Sequence, residues 1–246
     1  MGPGAERSLL GRTSPLVKVG LATAWLVALA TTVDPRPGIV LAVVAIGAMP
    51  ILGGVRLGQL GRGVLPLVLA AGGLGLANLL FAAANADPAA TELARIGPLR
   101  LTLEGGSAAL GLVARIVAVA AAGAAFALTT TATRLADALV QQARLSPRFA
   151  YGALAAYEAV PGLAADFATL RAARRLRGLP AWYPRILVGM LVRAIRRADQ
   201  LALAMDARGF GSGPRSTYRP ISWRVEDLVV ALGGLTVLVV VLVLAH

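Results

Sequence analysis

Arginine is the side chain best placed to do chemistry in this 246-residue chain, because the other reactive types are scarce or scattered. There is no cysteine, which removes disulfides, thiolate metal sites and cysteine nucleophiles. The one histidine is the terminal His246, so no histidine metal site or catalytic triad is expected. Glu158 and Asp166 flank Pro161 without other titratable company and read as interfacial or helix-packing groups, not as an acid–base pair. Between Thr130 and Val225, by contrast, stand fifteen arginines and no lysine. Only Asp137, Glu158, Asp166, Asp199 and Asp206 oppose them, so ten of the twelve excess positive charges fall here.

Two runs in this segment end alike. Leu170-Arg-Ala-Ala-Arg-Arg-Leu-Arg-Gly178 and Leu201-Ala-Leu-Ala-Met-Asp-Ala-Arg-Gly209 both close on Arg-Gly, with Arg177 and Arg208 31 positions apart. A structural reading makes each glycine a helix C-cap and each arginine a complement to the negative end of the helix dipole. A functional reading uses the guanidinium as a rigid, permanently charged fork for carboxylates or carbonyls in a groove. The glycine beside it removes a side chain, so the tip can enter a cleft in another protein. Two such ends in tandem point to a functional pair, able to engage two equivalent clefts such as those on a dimer.

Helices must position these tips. From Pro184 to Ala207, Leu187, Met190, Leu191, Ala194, Ile195, Ala198, Leu201, Ala202 and Met205 recur at three- and four-residue steps, while Arg193, Arg196, Arg197, Asp199 and Gln200 fall mostly elsewhere. That stripe needs cover, and another helix of the same segment is the simplest candidate. Leu135–Leu145 reads as a short amphipathic helix ended by Ser146-Pro147. Phe149–Leu170 is apolar but interrupted, and is half-immersed at the interface or packed under its neighbours. Nucleic-acid binding lacks a fold signature and interleaved stacking aromatics. Attraction to anionic headgroups suits the arginines without explaining the helical order.

The rest of the chain reads as membrane. Apolar residues make up 57% and charged ones 15%, where soluble domains average about half and about a quarter. Val19–Val33, Val64–Ala86, Gly105–Thr131 and Leu228–Ala245 approach or meet the roughly 20 residues that cross a bilayer. Gly38–Val55 is short for a span, contains Pro50, and either tilts through thinned bilayer or does not fully cross. Arg7, Arg12 and Lys18 precede the first stretch, but no cleavage site follows, so it reads as a retained span. Gly72, Gly73, Gly75, Ala77, Gly111 and Ala114 read as helix-packing positions. Among the spans Asn78, Asn85 and Arg115 are the polar exceptions, and Arg115 has a neighbouring helix to pair with. Arg56 and Arg62 lie in one short loop, whereas the alternate loops are charge-balanced. The positive-inside rule then starts five spans inside and leaves the basic segment cytoplasmic, with His246 outside.

The run Ala204-Met-Asp-Ala-Arg-Gly-Phe210 resembles the second Ala-Arg-Gly motif of the EcfT family, the transmembrane coupling components of energy-coupling factor (ECF) importers. Arg171–Gly178 is similar in place and spacing to the first motif, with Leu176 where alanine is usual. Val33-Asp-Pro-Arg36 is similar to a stretch near the start of the family, and Gly211–Arg219 before Trp223 to its ending. The resemblance implies an all-α polytopic membrane protein of about five transmembrane helices with cytoplasmic coupling helices, in the plasma membrane of a prokaryote. Its parts would be residues 1–131 (spans), 132–225 (coupling helices) and 226–246 (final span). It implies a non-enzymatic scaffold that joins two cytoplasmic ABC ATPases to a membrane-embedded substrate-binding subunit, for vitamin or metal-ion uptake. Arg177, Gly178, Ala207, Arg208 and Gly209 would be the ATPase-coupling residues, supported by Arg171, Arg174 and Ala204. The stripe from Leu187 to Met205 would pack on the companion helix and the substrate subunit. No cofactor, metal or nucleic acid is implied, and no Gly-x-x-x-x-Gly-Lys-Ser/Thr phosphate loop occurs. The alternative is a permease lining its own substrate path, which calls for functional polar residues within the spans.

Overall fold

The computed structural model describes residues 8–32, 34–87, 89–96, 99–180, 184–211, 213 and 217–245. Arg7, Val33, Ser212, Arg215 and His246, each used in the sequence reading, lie outside them. Local chemistry sets the helix starts. Ser14 caps α2 (Pro15–Thr31) by accepting from Leu16 N at 3.3 Å, just after the single turn α1 (Leu9–Arg12). Asp34 caps α3 (Pro35–Gly53), accepting from Arg36 N at 2.8 Å. In each, proline takes the first helical position, where its missing N–H costs nothing. The capping sets the start of α3 three residues ahead of the apolar stretch Gly38–Val55: it starts at Pro35 and runs 19 residues through Pro50, ending before a left-handed Gly54.

There follow α4 (Leu57–Phe81), a 3₁₀ turn (Ala83–Ala86), strands β1 (Glu92–Ile96) and β2 (Leu99–Thr102), and α5 (Leu103–Thr129). The antiparallel β1–β2 hairpin fills what the sequence presents only as a charge-balanced loop. It is tied by Arg100–Glu92 at 3.2 Å, and Asn85 accepts from the Thr102 hydroxyl at 2.8 Å. Asn85 therefore has a structural role at the end of its span. The chain continues through α6 (Ala132–Gln141), α7 (Pro147–Leu176), α8 (Arg185–Ala207) and α9 (Val225–Ala245). Among the described residues the architecture is all-α apart from the hairpin.

Among the described residues, four helices are long and apolar enough to cross a membrane, at Pro35–Gly53, Gly58–Asn85, Leu103–Thr129 and Val225–Val243. The helix α2 is apolar but has 17 residues, or about 26 Å of rise, close to the lower limit for a span. Large apolar side chains such as Ile51 (80% exposed) and Leu69 (67%) point outward, which suits a lipid-facing surface. The protein is a polytopic membrane protein.

The described residues form two compact units, one up to Leu135 and from Ser222 onward, the other Ala136–Ile221. In the first, α3 and α4 pack on α5, and α9 meets α2 and α3. Trp25, Leu41, Met49, Ala118, Ala121 and Leu238 lie in its core. A Cβ at Gly38 would sit 3.0 Å from the Ala114 backbone, and one at Gly75 would strike Val113, so both glycines permit close helix approach. Gly72 and Gly73 face open space instead. The Arg115 guanidinium donates to the Thr32 carbonyl, pairing with a neighbouring element as its position suggests.

Candidate functional site

The candidate site is the second unit, where α7 ends in Arg177-Gly178 and α8 in Arg208-Gly209. The two ends have one geometry. Arg177 is the C-cap of α7 at φ −88°, ψ 9°, and Arg208 that of α8 at φ −90°, ψ 10°. Gly178 and Gly209 each follow at φ +67°, a conformation glycine adopts without a Cβ penalty. Gly178 N donates to Arg175 O and Leu179 N to Arg174 O, both at 3.0 Å. The counterparts are Gly209 N to Asp206 O at 2.8 Å and Phe210 N to Met205 O at 2.9 Å. Both are Schellman closures, which use up carbonyls a helix end otherwise leaves unpaired. The capping reading of the glycines therefore holds at both ends, and it leaves the arginine on the last residue of a sharply stopped helix.

The surroundings differ. Arg177 is exposed, and a Cβ on Gly178 would meet nothing within 4 Å. Arg174 is half-buried and its Nε donates to Pro180 O at 3.0 Å, pinning the exit turn. Arg171 lies over the Phe167 ring, 5.6 Å from its centroid, one turn back on α7. Ala204, Ala207 and Arg208 are exposed.

Contacts between α7 and α8 run in opposite directions along the two helices. Asp166 meets Arg193 at 3.8 Å and Arg197 at 3.9 Å. Near the start of α7, Tyr151 packs edge-on against Phe210, just past the end of α8, with ring centroids 6.3 Å apart. The helices are thus antiparallel, with the first tip at the far end of α7 and the second beside its beginning. From Tyr151 to Arg177 the helix rises about 40 Å. One pair of tips therefore reaches two places and cannot share one small groove.

The stripe on α8 is covered only in part. Met190, Ala194 and Met205 are half-buried, while Leu187 (53%), Leu191 (60%) and Ile195 (51%) remain exposed. The companion helix does not supply the cover expected of it, because α7 offers α8 charged residues such as Asp166. Exposed ion pairs of this kind are worth under about 1 kcal/mol.

Sequence reasoning misses what lies behind the second tip. The Tyr151 hydroxyl donates to Asp137 Oδ1 at 2.7 Å, and Asp137 is 7% exposed on α6. Burial, with Asp137 as hydrogen-bond partner and charge, pushes the Tyr151 phenol up to about 12, so it remains a donor at neutral pH. Gln141, also on α6, donates to Arg219 O at 3.0 Å and accepts from Ile221 N at 2.8 Å. The one sequence signal was an aspartate set in the run Leu135-Ala-Asp-Ala-Leu139, where a charge needs a partner.

Paired helix tips on an arginine-rich segment between apolar spans can be compared with known proteins. The family model described as CbiQ, cobalt transport protein, matches residues 7–218. The chain belongs to the CbiQ family. As a CbiQ-family member it is similar to the energy-coupling factor transporter transmembrane protein EcfT of Thermosediminibacter oceani, 28% identical over 85% of this chain and 83% of the relative. It is 30% identical to EcfT of Limosilactobacillus fermentum over 60% of this chain and 61% of that protein. A match at 24% identity spans 93% of this chain but 31% of a putative ABC transporter ATP-binding protein of Bifidobacterium longum. This CbiQ-family chain is a transmembrane component of an ECF transporter.

Proposed function

We propose that this component couples ATP hydrolysis by two cytoplasmic ABC ATPases to a membrane-embedded substrate-binding subunit. Residues 132–225 are its cytoplasmic coupling segment, and residues 1–131 and 226–246 anchor it in the prokaryotic plasma membrane. Arg177 and Arg208 enter grooves on the two ATPases, and Gly178, Ala207 and Gly209 keep the approach open. The chain itself catalyses nothing. The observation that carries this reading is the duplicated Arg-Gly closure, identical in backbone and set about 40 Å apart along one helix. Helix caps alone account for the glycines, but not for an exposed guanidinium on both. The match to a longer protein named for ATP binding supports an ATPase partnership. The exposed stripe from Leu187 to Ile195 suits the substrate-binding subunit, and cobalt, nickel or a vitamin is the cargo class.

Two of the polar residues that a permease lining its own path would call on, Arg115 and Asn85, are occupied in packing, which favours the coupling reading. Co-purification tests the proposal. Wild-type chain should bring down two ATPases and a small membrane subunit, and the double reversal Arg177→Glu, Arg208→Glu should release the ATPases while the membrane subunit stays. ATPases that remain bound to the double variant, with uptake intact, contradict it.

A further inference from the structure

Behind the second tip, three side chains form a line that the docking role does not use. Phe210 follows Arg208-Gly209 and sets its ring edge-on to Tyr151 on α7, at 70° between planes. Tyr151 reaches through its hydroxyl to the buried Asp137 carboxylate on α6. Gly211, at φ +81°, lies so close to Arg148 that a Cβ there would strike its side chain, which holds the exit loop against the start of α7. Gln141, one turn beyond Asp137, grips the backbone at Arg219 and Ile221. The helix α6 begins three residues after α5 ends at Thr129, and Ile221 precedes α9 by four. The helix α6 is therefore linked through Tyr151 to the loop leaving the tip, and through Gln141 to the segment that leads into α9.

We propose that Tyr151 is a positioning residue that passes displacement of the second Arg-Gly tip to α6, receiving Phe210 on its ring and holding Asp137 with its hydroxyl. The inference rests on the docking of Arg208 to an ATPase. It adds that the tip and α6 move as one body, so that movement of an ATPase reaches both chain connections to the spans. An edge-on aromatic pair contributes specific geometry beyond its buried area, and a hydrogen bond to a buried carboxylate is stronger than a neutral one. Together they join α6, α7 and the tip at one point. At the first tip the exit turn is held by Arg174 from its own helix.

The cysteine-free chain allows a clean test. Cysteines replace the exposed Ala143, just past α6, and Leu203, on the last turns of α8, and both carry nitroxide labels. Pulsed electron paramagnetic resonance distances are recorded on the complex purified with its ATPases, nucleotide-free and trapped with ATP and vanadate. The wild-type distance should stay the same in both states. In Tyr151→Phe, which keeps the ring and removes only the hydroxyl, and in Phe210→Ala, trapping should shift or broaden it. Asp137→Asn, which keeps an acceptor, should behave as wild type. A wild-type distance that changes on trapping overturns the relay, as do Tyr151→Phe and Phe210→Ala distances that stay constant. If the wild-type sample contains no ATPase, the docking reading falls and the relay falls with it. If the ATPases are present and the distances disobey, the relay alone is wrong.

Discussion

At the residue scale, Gly178 and Gly209 share a left-handed backbone, and at Gly178 the requirement is the backbone's and not crowding's. A Cβ at 178 would have open space around it, so its whole cost is the left-handed φ of +67°. We expect Gly178→Ala to cost about 1–2 kcal/mol at that turn. Native-state amide exchange should then speed up about tenfold at Gly178 and Leu179, whose N–H groups close the end. Gly178→Asn should do less, since asparagine tolerates that conformation. The two tips were legible in the sequence because Arg-Gly at the end of a helical run is a local signal. The line Asp137–Tyr151–Phe210 was not legible, since its members are 14 and 59 positions apart and nothing local links them.

At the scale of elements, the spans are held by close approach and by buried polar ties. Gly38→Leu would drive a side chain into the Ala114 backbone and should destabilise the α3–α5 pairing by about 1–3 kcal/mol. Thermal unfolding in detergent measures it, with Gly72→Leu, on an open face, as the control. The start of α9 is tied by Asp227, 3% exposed, which accepts from Ser14 N at 2.6 Å and Arg224 N at 2.9 Å. Arg12 adds an ion pair to Glu226 at 3.4 Å, and Arg134 donates to the carbonyls of Gly11 and Arg12. Asp227→Ala should lower stability by about 3 kcal/mol, because the buried Ser14 N and the part-buried Arg224 N lose a charged acceptor. The same melting experiment reads it. Apolar runs alone began the first two stretches at Val19 and Gly38, whereas the adjacent cap and proline at Ser14-Pro15 and Asp34-Pro35 set the actual helix starts. The β1–β2 pairing could not be read from the chain, because it depends on register between the two strands and on Asn85 from the preceding 3₁₀ turn.

For the whole molecule, the sequence showed where charge and apolar surface lie, and the structure shows how the charge is presented. Ten of twelve excess charges sit in one arginine-rich stretch. Its two helices run antiparallel and end in matching tips about 40 Å apart along α7. Apolar stripe residues remain uncovered on α8, which suits a subunit of a larger assembly. The central claim is that the two tips are separate docking points for two ATPases, and affinity measures it most directly. The chain is placed in lipid nanodiscs and titrated with the ATPases that co-purify with it, as wild type, Arg177→Glu, Arg208→Glu and both. Buried arginine anchors at interfaces are worth 2 kcal/mol or more, about thirtyfold in Kd. Each single reversal should weaken ATPase binding by at least about that factor and the double reversal should abolish it. Wild-type affinity in the double variant would contradict the account.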